Sequence, residues 1–150
     1  MDQHTATAYH EAAHAITLRE FGCRVTSVCV NDDETGETSA STLPPEAEQI
    51  VCVALSGMQA EHHFAGRAMT FDDFAKAYAG GSGDRTAIAE ETRKAWLSHP
   101  VNWHKAQYNA AQLFIERHEA QIRSIALAIL AKPTFPKCLS EAEINAVLST

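Results

Sequence analysis

Several features that would mark other protein classes are scarce in this chain. Its 150 residues include four cysteines (Cys23, Cys29, Cys52, Cys138), none of them in a C-x-x-C pair. Their apolar settings predict buried free thiols in a reducing, cytoplasmic setting, and exclude both a disulfide framework and a cysteine zinc site. The longest apolar run of the C-terminal half, Ile125–Ala131, is far short of the roughly 20 residues that span a bilayer, so no membrane segment is expected. The N-terminus has no basic stretch leading into an apolar one, so no signal peptide is expected. Positive charge is also sparse. Lys and Arg number 12 against 19 Asp and Glu, a net charge of −7, which argues against nucleic acid or an anionic membrane as partner. Internal repeats and low-complexity segments are absent. What remains is an ordinary globular composition, 45% hydrophobic and 21% charged, of a length expected for a single domain over residues 1–150.

The pattern of apolar residues predicts a mainly α fold with a small β-hairpin or short sheet inserted after the first helix. That helix is expected over about Thr5–Phe21, with Tyr9, Ala13 and Ile16 on one face and Gly22 as its stop. The β-branched stretch Cys23–Val30 reads as a strand, and residues 37–42 as a second, exposed one after a polar turn. Pro44-Pro45 then leads into a long helix over Glu46–Phe64, ended by Gly66. A short helix is expected over Phe71–Tyr78 and a glycine-rich loop over Ala79–Gly83. Helices follow at about Asp84–Leu97 and, as one long element, about Asn102–Ala131. Ser140 and Glu143 form an S-x-x-E capping box opening the last helix.

Chemistry concentrates in the first helix. His10-Glu11-Ala12-Ala13-His14 is an H-E-x-x-H motif. Two imidazoles four residues apart stack on one helix face, about a turn apart, where both can reach one Zn2+ ion. Glu11, next to the first histidine, is placed to take a proton from an attacking water. Two solvated histidines on a surface helix would share this local pattern, so a third ligand is needed. Position 20 is Glu and position 17 is Thr, which removes the extended three-histidine form of the motif. Glu61, with His62 and His63 beside it, and Asp84, at the mouth of a helix, remain open; Asp72 and Asp73 read as helix-start charges. Taken alone, Asp84 is better suited to capping the helix that follows it.

Taken together, these segments resemble the proteolytic domain of the FtsH-type ATP-dependent zinc metalloprotease family. Ala8–Ala15 is similar to its H-E-x-G-H-A segment, with Ala13 in place of the glycine. The strand at Val25–Cys29 and the polar stretch to Leu43-Pro44 are similar to its strand, edge strand and Leu-Pro turn. Val53–Gly57, Ala60-Glu61 and Gly66 follow its second helix, and Gly81–Asp84 the end of its G-A-x-N-D segment. The resemblance implies a zinc metalloendopeptidase whose metal ligands are His10, His14 and Asp84, with Glu11 as general base and Glu61 supporting a ligand histidine. It implies an unfolded protein or peptide as substrate, bound by strand addition along the segment that holds Gly36, Thr38 and Ser39. The chain carries no P-loop or ATPase module, so a separate ATPase or adaptor is the expected means of delivering folded substrates, and a homo-oligomer is compatible with the family. The segment after Asp84 is shorter than the family's. That departure supports the alternative of a catalytically inactive zinc-binding module with a regulatory or protein-interaction role.

Overall fold

The computed structural model describes residues 1–72, 75 and 87–150. Among them, in chain order, are α1 (Gln3–Glu20), β1 (Val25–Val30), β2 (Gly36–Ala40), α2 (Ala47–Phe64), α3 (Ala87–Ser98), α4 (Val101–Arg117), α5 (Glu119–Leu130), β3 (Lys137–Ser140) and α6 (Glu141–Leu148). The mainly helical class with a small sheet after α1 is the expected one.

α1 is the element on which the others pack. Asp2 caps it, accepting from the Thr5 N–H at 3.0 Å and the Thr5 hydroxyl at 2.8 Å, which satisfies a backbone donor that the helix start leaves unpaired. Gly22, at φ +79°, releases the chain at the other end. Ala8, Ala12, Ala13 and Ala15 are all fully buried, so the helix is enclosed on several sides by small residues. α2, α5 and the sheet pack against it. The core beside it is built from Leu18, Leu55, Ile122, Ile125, Ile129 and Ile144.

The three strands form an antiparallel sheet in the order β2-β1-β3. Val25, Val28 and Val30 of the central strand are fully buried while Thr26, Ser27 and Cys29 are not, as in an antiparallel sheet with one face on the core. β2 pairs with β1 in a register that sets Thr38 opposite Val28 and Gly36 opposite Val30. β2 is therefore an edge strand, and its outer side carries no further strand among the described residues.

Two expectations need correction. First, β3 is an additional strand that returns from the C-terminal region to pair with β1. It sets Cys138 directly opposite Cys29, and the two form a disulfide spanning 109 residues of sequence. Cys23 and Cys52 are free and buried, with the Cys52 thiol pushed up to about 11 by burial. The expectation of free thiols thus holds for two cysteines and fails for two. With a cross-strand pair present, cysteine usage no longer argues for a reducing compartment. Second, the long C-terminal helix is divided at His118 into α4 and α5. His118 takes φ −106°, ψ 16°, ends α4 by donating its N–H to Phe114, and starts α5. The break lets Ile122, Ile125 and Ile129 turn into the core while Leu113 stays exposed. Most of the expected helix at 71–78, the glycine-rich loop and the start of the helix at Asp84 lie outside the described residues. No described helix is long and apolar enough to cross a membrane.

Candidate metal centre

His10, Glu11 and His14 each bring one potential ligand atom to a common point, and these atoms lie within 4.8 Å of one another. One turn of α1 separates the two rings, whose centroids are 4.5 Å apart with planes at 82°. Solvated surface histidines would have no reason to be fixed. These two are held, and by the same kind of contact.

The His14 Nδ1–H donates to the Val53 carbonyl at 2.7 Å. The His10 Nδ1–H donates to the Glu61 carboxylate in a part-buried hydrogen bond. Both acceptors come from α2, about two turns apart along the face that packs on α1. With Nδ1 occupied as a donor, the lone pair of each ring sits on Nε2, the tautomer a metal requires. Burial, and after it the neighbouring His10 ring, hold His14 down to about 3, against the opposing pull of its bond to Val53. The ring is thus neutral and available for coordination throughout the ordinary pH range.

α2 approaches this closely because residue 57 is glycine. A Cβ built there would lie 2.5 Å from His10 Nε2, nearer than any real Cβ contact. Gly57 is fully enclosed between the helices, and its missing side chain is the space the imidazole occupies.

Glu11 is buried, with 7% of its surface exposed. The Thr38 hydroxyl donates to its Oε2 at 2.6 Å. Gly36 abuts the same carboxylate: a Cβ at Gly36 would lie 2.6 Å from Oε1. Gly36 and Thr38, expected to face substrate, therefore cover and orient Glu11 from the inner side of β2. Ser39 does not reach the centre, and its hydroxyl donates to Glu37 at 3.0 Å on the surface.

The two histidines offer neutral, borderline-soft nitrogen donors beside a carboxylate, a donor set that fits Zn2+. Glu61 contacts the far side of a ring rather than the Nε2 side, the position of a group that orients a ligand. Asp84, expected as the third ligand, lies outside the described residues. Asp72 is exposed; Asp73 lies outside the described residues. His63 approaches Glu119 at 3.3 Å, away from the metal group.

Neither protein-family models nor curated proteins gave a match to this chain. The geometry of the centre is therefore what bears on function. The contacts that sequence reasoning missed are the Val53 carbonyl and the Thr38 bond to Glu11. The close approach at Gly57 is the one contact of the three with a trace in the sequence, a glycine inside a helical pattern.

The role of Glu61 is testable on metal binding alone. Glu61→Gln keeps an acceptor for His10 but removes its charge, and should weaken zinc affinity about tenfold, as loss of such a supporting group does. Competition against a chromogenic chelator measures this. Complete loss of zinc binding would instead make Glu61 a ligand.

Proposed function

We propose that the chain is a zinc metallopeptidase of the FtsH-like kind, hydrolysing peptide bonds in peptides or unfolded chains. The observation that carries this reading is the paired pinning of His10 by Glu61 and His14 by the Val53 carbonyl. It leaves the Nε2 of each ring for a metal, in a group that includes the buried Glu11.

In this reading His10, His14 and Asp84 hold the metal. Zinc, when bound, supplies Lewis acidity that polarises the scissile carbonyl and acidifies water. Glu11 takes the proton of the attacking water and returns it to the leaving amine. Thr38 holds Oε2 and so fixes the orientation of the carboxylate. The open outer edge of β2 receives the substrate as an added strand, with affinity from main-chain hydrogen bonds and little demand on side chains. The same strand thus holds the base on its inner side and the substrate on its edge, which brings the scissile bond to Glu11. A folded substrate would need a separate ATPase or adaptor to open it.

Elemental analysis together with casein cleavage tests the proposal. One zinc per chain and cleavage that a chelator abolishes are expected, with zinc lost in Asp84→Ala. Retention of zinc in that variant removes Asp84 from the ligand set. A zinc-loaded protein that cleaves no unfolded substrate favours the alternative drawn from the shortened segment after Asp84, a zinc-binding module without peptidase activity.

A further inference from the structure

The ladder between β1 and β2 shows which main-chain groups of β2 are open. Opposite residues of an antiparallel pair alternate between those that exchange hydrogen bonds and those that do not. Just beyond the ladder, the Asn31 N–H donates to the Thr35 carbonyl at 2.8 Å. The register that sets Cys29 opposite Glu37 and Val30 opposite Gly36 makes Asn31 and Thr35 the next bonded pair along from Cys29 and Glu37. Cys29 and Glu37 are therefore a bonded pair as well. The other side of β1 agrees. Cys29 stands 4.1 Å from Cys138 of β3, Cα to Cα, the short spacing of a pair without hydrogen bonds.

Glu37 thus turns its N–H and C=O to β1, while Gly36 and Thr38 turn theirs to the outer edge, which carries no further strand among the described residues. The inner faces of Gly36 and Thr38 meet Glu11. Glu37, between them, projects from the opposite face of the strand and is exposed. Its carboxylate accepts from the Ser39 hydroxyl at 3.0 Å. It forms no ion pair among the described residues, and no Lys or Arg stands between Arg24 and Arg67 in the sequence.

We propose that Glu37 is a specificity-determining residue that selects a basic residue, Lys or Arg, in the bound peptide. This rests on strand addition to β2, part of the peptidase reading above. A peptide that continues the antiparallel sheet exchanges main-chain hydrogen bonds with Gly36 and Thr38. Its residue between those two positions falls directly opposite Glu37, in a pair without hydrogen bonds, where side chains come closest. Opposite residues share a face, so this side chain lies beside the Glu37 carboxylate while its two neighbours turn toward α1. An opposite charge there is favourable and a like charge unfavourable. Because Gly36 and Thr38 both abut Glu11, the selected residue is level with the base and close in sequence to the bond that is cut.

Binding and cleavage are measured separately. Short, end-capped peptides of otherwise uncharged sequence carry Lys, Ala or Glu at each position in turn. Fluorescence anisotropy gives their affinity for Glu11→Gln in the presence of zinc, which binds without turnover. At one position Lys should bind about threefold tighter than Ala and Glu about threefold more weakly, an order that salt erodes. Glu37→Lys, at an exposed position clear of the core, should reverse the order, and Glu37→Gln should flatten it. An order unchanged by Glu37→Lys would overturn the proposal; cleavage of the same peptides by the unmodified protein would then leave the peptidase reading standing. Reversal without any cleavage would uphold Glu37 and remove the peptidase reading instead. If no peptide binds, Glu37 is a charge that guards a free edge against pairing, and the proposal fails.

Discussion

Glu11→Gln should leave one zinc per chain in place and lower casein cleavage by about 10³-fold, within the 10²–10⁴ range that a positioned general base contributes. The substitution suits this site. Glutamine has the shape of glutamate, so it fits against Gly36, where no extra atom is tolerated. Its amide oxygen can still accept the Thr38 hydroxyl that now bonds Oε2 at 2.6 Å. What it loses is the ability to take up a proton. Packing, fold and metal ligands are retained while one chemical step is removed. Zinc content and cleavage rate, measured on the same preparation, then give separable answers. Cleavage within tenfold of the unmodified protein would show that another group is the base. Loss of zinc along with activity would show that Glu11 binds the metal directly, which its place in the His10-Glu11-His14 group permits geometrically.

What could be read from the sequence was what depends on neighbours along the chain. His10, Glu11 and His14 come together through helical periodicity alone, and the capping box at Ser140 and Glu143 forms as its spacing predicts. The α1–β1–β2–α2 order was equally legible, because Gly22, the polar turn and the Pro-Pro pair mark its boundaries locally. Contacts that depend on register or on backbone atoms were not. The Cys29–Cys138 bond requires β3 to pair with β1 in one register. β3 is only four residues long, between Pro136 and a helix cap, and has too little alternation to announce itself. The break at His118 involves neither proline nor glycine, so a periodic apolar pattern runs straight through it. A backbone carbonyl such as that of Val53 has no sequence signature at all. Glu61 could be read locally only as one candidate ligand beside Asp84, since a glutamate on a helix has no local feature that tells a ring-orienting group from a solvated one.

Gly57→Ala carries the largest expected effect on metal binding outside the ligands themselves. Alanine in the middle of a helix is intrinsically favoured over glycine by about 1 kcal/mol, so on propensity alone the change should stabilise α2. Against this stands the geometry: the new Cβ would fall 2.5 Å from Nε2 of His10. Overpacking of this kind costs about 1–3 kcal/mol, so the metal-free protein should be unchanged or modestly less stable. The ring must turn to make room, and Nε2 is the atom that binds. Moving it also pulls Nδ1 from Glu61, so the ligand loses its position and its orienting partner in one step. A misplacement of about 1 Å is enough for a 10²-fold loss where geometry is strict, and zinc affinity should fall by about that factor or more. Thermal unfolding with and without zinc separates the two effects. The zinc-dependent rise in melting temperature should shrink sharply while the zinc-free value stays near that of the unmodified protein. An unaltered zinc-dependent rise would mean that His10 does not ligate through Nε2, and the helix-to-helix closeness at Gly57 would then be a matter of packing alone.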